Sequence, residues 1–127
     1  MKISSAQLRF LISALFVMAL WIFFVEYMAS TEAIRFITKY NIDKLFHFIG
    51  GAFLASLLFW ILGRQKLLFL ILYIIVISIL WEVAELLLDP LTVVFFEKSK
   101  ELWLRDSMLD AVAASVGALF YWHRPIL

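Results

Sequence analysis

Four apolar stretches, each near the ~20 residues an α-helix needs to cross ~30 Å of hydrocarbon, constrain this chain more than any other feature. In lipid every backbone N–H and C=O must find its partner within the protein, and a run of this length does so by coiling into a helix. The first run covers about residues 10–29 and is broken only by Glu26; the others cover residues 43–62, 67–88 and 106–122. Apolar residues make up 65% of the 127, well above the ~45–50% of soluble domains. With 17% charged residues and a net charge of +1, the chain offers neither a disordered composition nor a basic footprint for nucleic acid. It contains no cysteine, which removes disulfides, thiolate nucleophiles and cysteine-based metal sites. The expectation is one all-α membrane domain over residues 1–127, a four-span bundle.

The links between runs set the topology. Gly63 suits a helix end of positive φ, and Gly63-Arg64-Gln65-Lys66 is too short for anything but an antiparallel hairpin between the second and third spans. Asp89-Pro90 stops the third, because proline disfavours helical geometry in the residue before it. The first run exceeds the 7–15 residues of a typical signal core and lacks an Ala-x-Ala site after it, so it reads as a retained span. Residues 31–40 and 91–104 mix Ile34, Phe36, Phe95 and Trp103 with charged residues, the pattern of two short interfacial helices, the first ending at Asn41. Lys2 and Arg9 precede the first span with no acid beside them, which favours both termini in the cytoplasm of a multi-pass inner-membrane protein.

Charged side chains cost ~2.5–3.5 kcal/mol each at the centre of a membrane helix on insertion scales, so those present need a reason. Glu82, Glu85 and Asp89 share one face of the third span; Asp43 and His47 share a face of the second; Arg105, Asp106 and Asp110 open the fourth. Spans two and four start at the surface where span three ends, so all these groups lie at one membrane face. His47, Glu82, Glu85 and Asp110 are expected to converge in a pocket, with Asp43, Lys44, Arg105 and Asp106 at its mouth. Bland roles compete: Asp43 and Asp106 stand where helix N-caps belong, and Lys44 and Arg105 could snorkel to the headgroups. The acids could also form a network that locks the bundle. Small residues on span two (Gly50, Gly51, Ala55) and span four (Ala113, Ala114, Gly117, Ala118) suit close helix packing.

The polar residues also form a pattern. Asp43-Lys44-Leu45-Phe46-His47-Phe48, then Glu82 and Glu85, then Arg105-Asp106-Ser107-Met108-Leu109-Asp110, and finally Gly117-Ala118 together resemble the VanZ-like family of small bacterial membrane proteins. The resemblance covers residues 43–122. Leu88 and Asp89 stand where that family carries a Gln after its acid, and Ala114 where it carries an Asn. The pairs Glu82/Glu85 and Asp106/Asp110 bring the chain nearer to a related group of uncharacterised inner-membrane proteins. What the resemblance implies is a role in the cell envelope, linked to glycopeptide tolerance, with no established activity, and a polar signature of Asp43, Lys44, His47, Glu85 or Glu82, Arg105 and Asp110.

Three functions follow as expectations. One is an envelope protein that binds or modifies a lipid or its phosphorylated headgroup at the outer surface. A divalent cation such as Mg2+ would then bridge carboxylates to phosphate, His47 would serve as base, and Arg105 or Lys44 would clamp the anion. Another is a proton-coupled carrier or relay, which a chain of this size could form only as a homo-oligomer. The last is an interaction subunit whose polar pocket is structural.

Overall fold

The computed structural model describes residues 3–25, 31–88 and 99–124 of the chain. Among them every regular element is helical: α1 (Ser5–Phe23), α2 (Thr31–Lys39), α3 (Asp43–Leu62), α4 (Leu67–Leu88) and α5 (Lys100–His123). Three of these, α1, α3 and α4, are long and apolar enough to cross a membrane. Glu26, Asp89 and residues 91–98, which figured in the sequence reading, lie outside the described residues.

Local chemistry explains the boundaries. α3 and α4 coincide with the second and third apolar runs. Between them Gly63 adopts φ 73° and ψ 178°, a region open essentially to glycine alone, so the turn is fixed by the missing Cβ. α1 starts earlier than its apolar run because the Ser4 hydroxyl accepts a hydrogen bond from Gln7 N (3.0 Å), capping the helix. Past the end of α2, Asn41 takes φ 51°, and Ile42 N donates to Ile37 O (3.0 Å). That is the six-to-one bond of a Schellman end.

Two expectations need correction at α5. The helix begins at Lys100 and not at Asp106, because Ser99 caps it by accepting from Leu102 N (3.2 Å). Residues 100–104 therefore belong to α5 and form no separate interfacial helix. Asp106 sits well inside the helix, and Asp43 makes no capping bond at the start of α3. Neither aspartate is a helix cap.

α3 and α5 form the centre of the bundle. α5 packs along α3 and against α4, while α1 lies against α3 and reaches α5 through Phe10 and Tyr121. The α3–α5 crossing is close because its small residues face each other. A Cβ on Gly51 would run into the backbone carbonyl of Ala114, and one on Gly117 into that of Phe48. Around this seam Ala52, Ala55, Phe59, Ala114, Ala118 and Tyr121 are buried, with Leu70 and Ile74 of α4 completing the core. At one end, Arg64 Nη2 donates to Trp122 O (3.1 Å) and Trp122 Nε1 donates to Gln65 O (3.2 Å), tying the end of α5 to the α3–α4 turn. α1 runs antiparallel to α3, with Trp21 stacked on Phe46 at 3.8 Å and Phe10 stacked on Tyr121 at 5.5 Å.

Gln7, which precedes the first apolar run, is 3% exposed. Its Nε2 donates to Ser56 O (3.1 Å), and the Ser56 hydroxyl donates to Tyr121 OH (2.9 Å). A buried polar group without a partner costs ~1–3 kcal/mol, and this chain of bonds across α1, α3 and α5 removes that cost.

Candidate functional site

The site is built at the end of the bundle opposite the α3–α4 turn. Three helices supply it: α3 through its first turns, α4 through its last, and α5 through the stretch after its first turn. Because α3 and α5 start at this end and α4 finishes there, their polar residues meet at matched depth.

Lys44 is its electrostatic centre. Its Nζ lies 2.9 Å from Asp43 Oδ2, 2.6 Å from Asp106 Oδ1 and 2.7 Å from Asp110 Oδ1. An ammonium has three donors and no acceptor, and here three carboxylates surround it. Lys44 is therefore not available as the phosphate clamp that the sequence suggests. It is an internal cation that fills the space between Asp43, Asp106 and Asp110, one of two places among the described residues where three potential ligand atoms converge.

The other place lies one turn deeper. There His47, Glu82 and Asp110 each direct one ligand atom to within 4.8 Å of the others. His47 Nε2 is 3.2 Å from Asp110 Oδ1, and the Ser107 hydroxyl donates to Glu82 Oε2 at 2.7 Å. Glu82 and Asp110 are 7% and 3% exposed, whereas His47 is half-buried. Asp110 Oδ1 has Lys44 and His47 at ion-pair distance, yet neither approach has hydrogen-bond geometry. Asp43 Oδ1 is also buried without a donor.

Two residues from the expected set stand apart. Glu85 accepts from Trp81 Nε1 (2.7 Å) and faces the side of the bundle, where it lines a groove together with His47. Arg105 is exposed and takes part in none of the ion pairs among the described residues. The structure thus brings together His47, Glu82 and Asp110, with Asp43, Lys44 and Asp106 beside them, and leaves Glu85 and Arg105 outside. Ser107 belongs to the cluster as the partner of Glu82; it precedes Asp110 by three residues, which places it on the same helical face.

The ligand set has chemical consequences. A cation held at ~2.0–2.2 Å from each of three ligands sets them ~3.3–3.8 Å apart, so ligand atoms that lie within 4.8 Å of one another reach that spacing by contracting ~1.5 Å at most. One imidazole nitrogen with two carboxylates suits Zn2+ or Mn2+ better than Mg2+, which prefers all-oxygen coordination. Charge also favours a cation: the cluster holds Asp43, Glu82, Asp106 and Asp110, and the ammonium of Lys44 pairs with three of these four. Comparison with known proteins gives no match to a family model, to a curated protein or to a solved structure.

Proposed function

We propose that this chain is a bacterial cytoplasmic-membrane protein of the VanZ-like type that binds a phosphorylated envelope-lipid headgroup through a divalent cation held by His47, Glu82 and Asp110. The convergence of those three ligand atoms within 4.8 Å carries the reading. A cluster with more carboxylates than cations repels a phosphate, so anion binding here requires a bridging metal that neutralises both. Binding has more support than covalent modification. The Ser107 hydroxyl is engaged by Glu82, Lys44 is enclosed by carboxylates, and the chain has no cysteine to act as nucleophile.

The same reading makes α5 the fourth crossing. Its far end meets the α3–α4 turn through Trp122, and its near end meets the start of α3 through Asp106, so it runs the full depth of the hairpin. Leu104, Met108, Val112, Val116 and Phe120 are exposed at four-residue spacing, an apolar ridge suited to lipid. α2, with Phe36 and Tyr40 exposed among charged residues, lies at the headgroup level of the outer face, and both termini lie in the cytoplasm.

A structural reading is favoured by one observation, the Lys44 ammonium that joins α3 to α5 through Asp106 and Asp110. Thermal unfolding of the purified protein in neutral detergent separates the two. Phosphatidate should raise the midpoint only with Mn2+ present, and Asp110→Asn and Glu82→Gln should lose that shift while remaining folded. Equal shifts in wild type and both amide variants, or a shift independent of Mn2+, would leave the structural reading in place.

A further inference from the structure

α1 and α4 both flank α3 but barely meet each other, and the gap between them is a groove of about 410 Å3. This is within the ~300–1,000 Å3 typical of small-ligand sites. Its walls are apolar, with Met18 and Trp21 from α1, Leu54 from α3 and Ile77 from α4. Its polar groups are few, and two of them, His47 and Glu85, lie toward the cluster end of α3 and α4.

We infer that this groove holds one hydrocarbon chain of the lipid whose headgroup the cluster binds, an inference that rests on the function proposed above. Three observations support it. The first is length. On α4 the lining runs from Ile77 to Leu88, a rise of ~16 Å, and on α3 from Phe46 to Leu54, ~12 Å. Half of a ~30 Å hydrocarbon layer is ~15 Å, so the groove extends from the cluster face to about the middle of the membrane, the depth that one leaflet's chains occupy. The second is continuity. His47 borders the groove and also approaches Asp110 at 3.2 Å, so a headgroup at the cluster and a chain in the groove would belong to one molecule. The third is the floor. A Cβ on Gly50 would meet only the Met18 side chain, at 3.8 Å, whereas one on Gly51 would strike the Ala114 backbone. The missing side chain at Gly50 leaves space in the groove and is not needed for the α3–α5 crossing.

The probe that tests this is a phosphatidate carrying a photoreactive diazirine in one acyl chain, reconstituted with the full chain in phosphatidylcholine nanodiscs containing Mn2+. After irradiation, adducts should concentrate on Met18, Leu54 and Ile77 over the outward residues Val112 and Val116. Unlabelled phosphatidate should compete and added phosphatidylcholine should not. Gly50→Leu, which fills the groove, should lower groove adducts about tenfold, the effect of an overpacking cost near 1.4 kcal/mol. Leu54→Trp is a second filling variant in case the first folds poorly, and Gly50→Ala is the tolerated control. Adducts spread evenly over the outward faces, or undiminished in folded filling variants, would overturn the chain site. So would cross-links from the groove to a second copy, or to residues 26–30 or 89–98 of the same chain.

Glycerol 3-phosphate with Mn2+ tests the headgroup separately. Its binding in Gly50→Leu, with no groove preference in the wild type, would overturn the chain site and keep the headgroup reading. Groove adducts that form equally with a diazirine phosphatidylcholine and persist in Asp110→Asn would keep a chain site but break its link to the phosphorylated headgroup, overturning the inference as stated.

Discussion

A single lysine decides how the acidic cluster reads at the scale of residues. Lys44 has a side chain 15% exposed and sits among Asp43, Asp106 and Asp110. Removing one partner from a buried ion network leaves uncompensated charge, at ~3–5 kcal/mol for a fully buried pair. Lys44→Met should therefore lower the unfolding midpoint sharply, and adding Asp110→Asn should recover part of the loss, a coupling that a double-mutant cycle in detergent measures. Additive losses would mean that Lys44 and Asp110 act independently. The sequence made the acids conspicuous because each is costly in hydrocarbon, and helix spacing placed them at one membrane face. It could not show that Lys44 is enclosed while Arg105 is exposed, since that depends on how each helix is rotated about its axis. The burial of Gln7 is hidden from the sequence for the same reason, because only the positions of Ser56 and Tyr121 give it a partner chain inside the bundle.

At the scale of elements, the crossing of α3 and α5 sets the geometry of the site, because it brings His47 opposite Asp110. Gly51→Ala and Gly117→Ala each place a methyl against opposing backbone, of Ala114 and Phe48 respectively. Each should destabilise the bundle by ~1–3 kcal/mol or more. Gly50→Ala should be neutral or gain ~0.5–1 kcal/mol, since alanine is the better helix former and its Cβ meets only Met18. Thermal melts of the three variants check the ranking, and equal stability of all three would contradict the seam. The small residues of this seam and the turn between α3 and α4 were readable from glycine spacing and Gly63. The start of α5 was misplaced although Ser99 followed by Glu101 is an N-cap signal; the surrounding lysines and glutamates suggested an interfacial helix instead.

For the whole molecule, the ties at Arg64, Gln65 and Trp122 put the α3–α4 turn and the end of α5 at the same face, with the cluster at the other. Because the chain has no cysteine, single-cysteine variants report cleanly. Gln65→Cys and Arg124→Cys should be labelled from the cytoplasmic side, and Asn41→Cys and Lys100→Cys from the outer side. Gln65 and Lys100 labelled from one side would remove α5 as a crossing. The central claim concerns the metal, and electron-spin-echo spectroscopy of Mn2+ bound to the purified protein tests it most directly. The chain has two histidines, and His123 lies in the last turn of α5, so nitrogen coupling to the metal can be assigned by one substitution. The account predicts imidazole nitrogen modulation in the wild type, lost in His47→Gln and retained in His123→Gln, with bound Mn2+ falling in Asp110→Asn. Modulation absent from the wild type, or unchanged in His47→Gln, would contradict it.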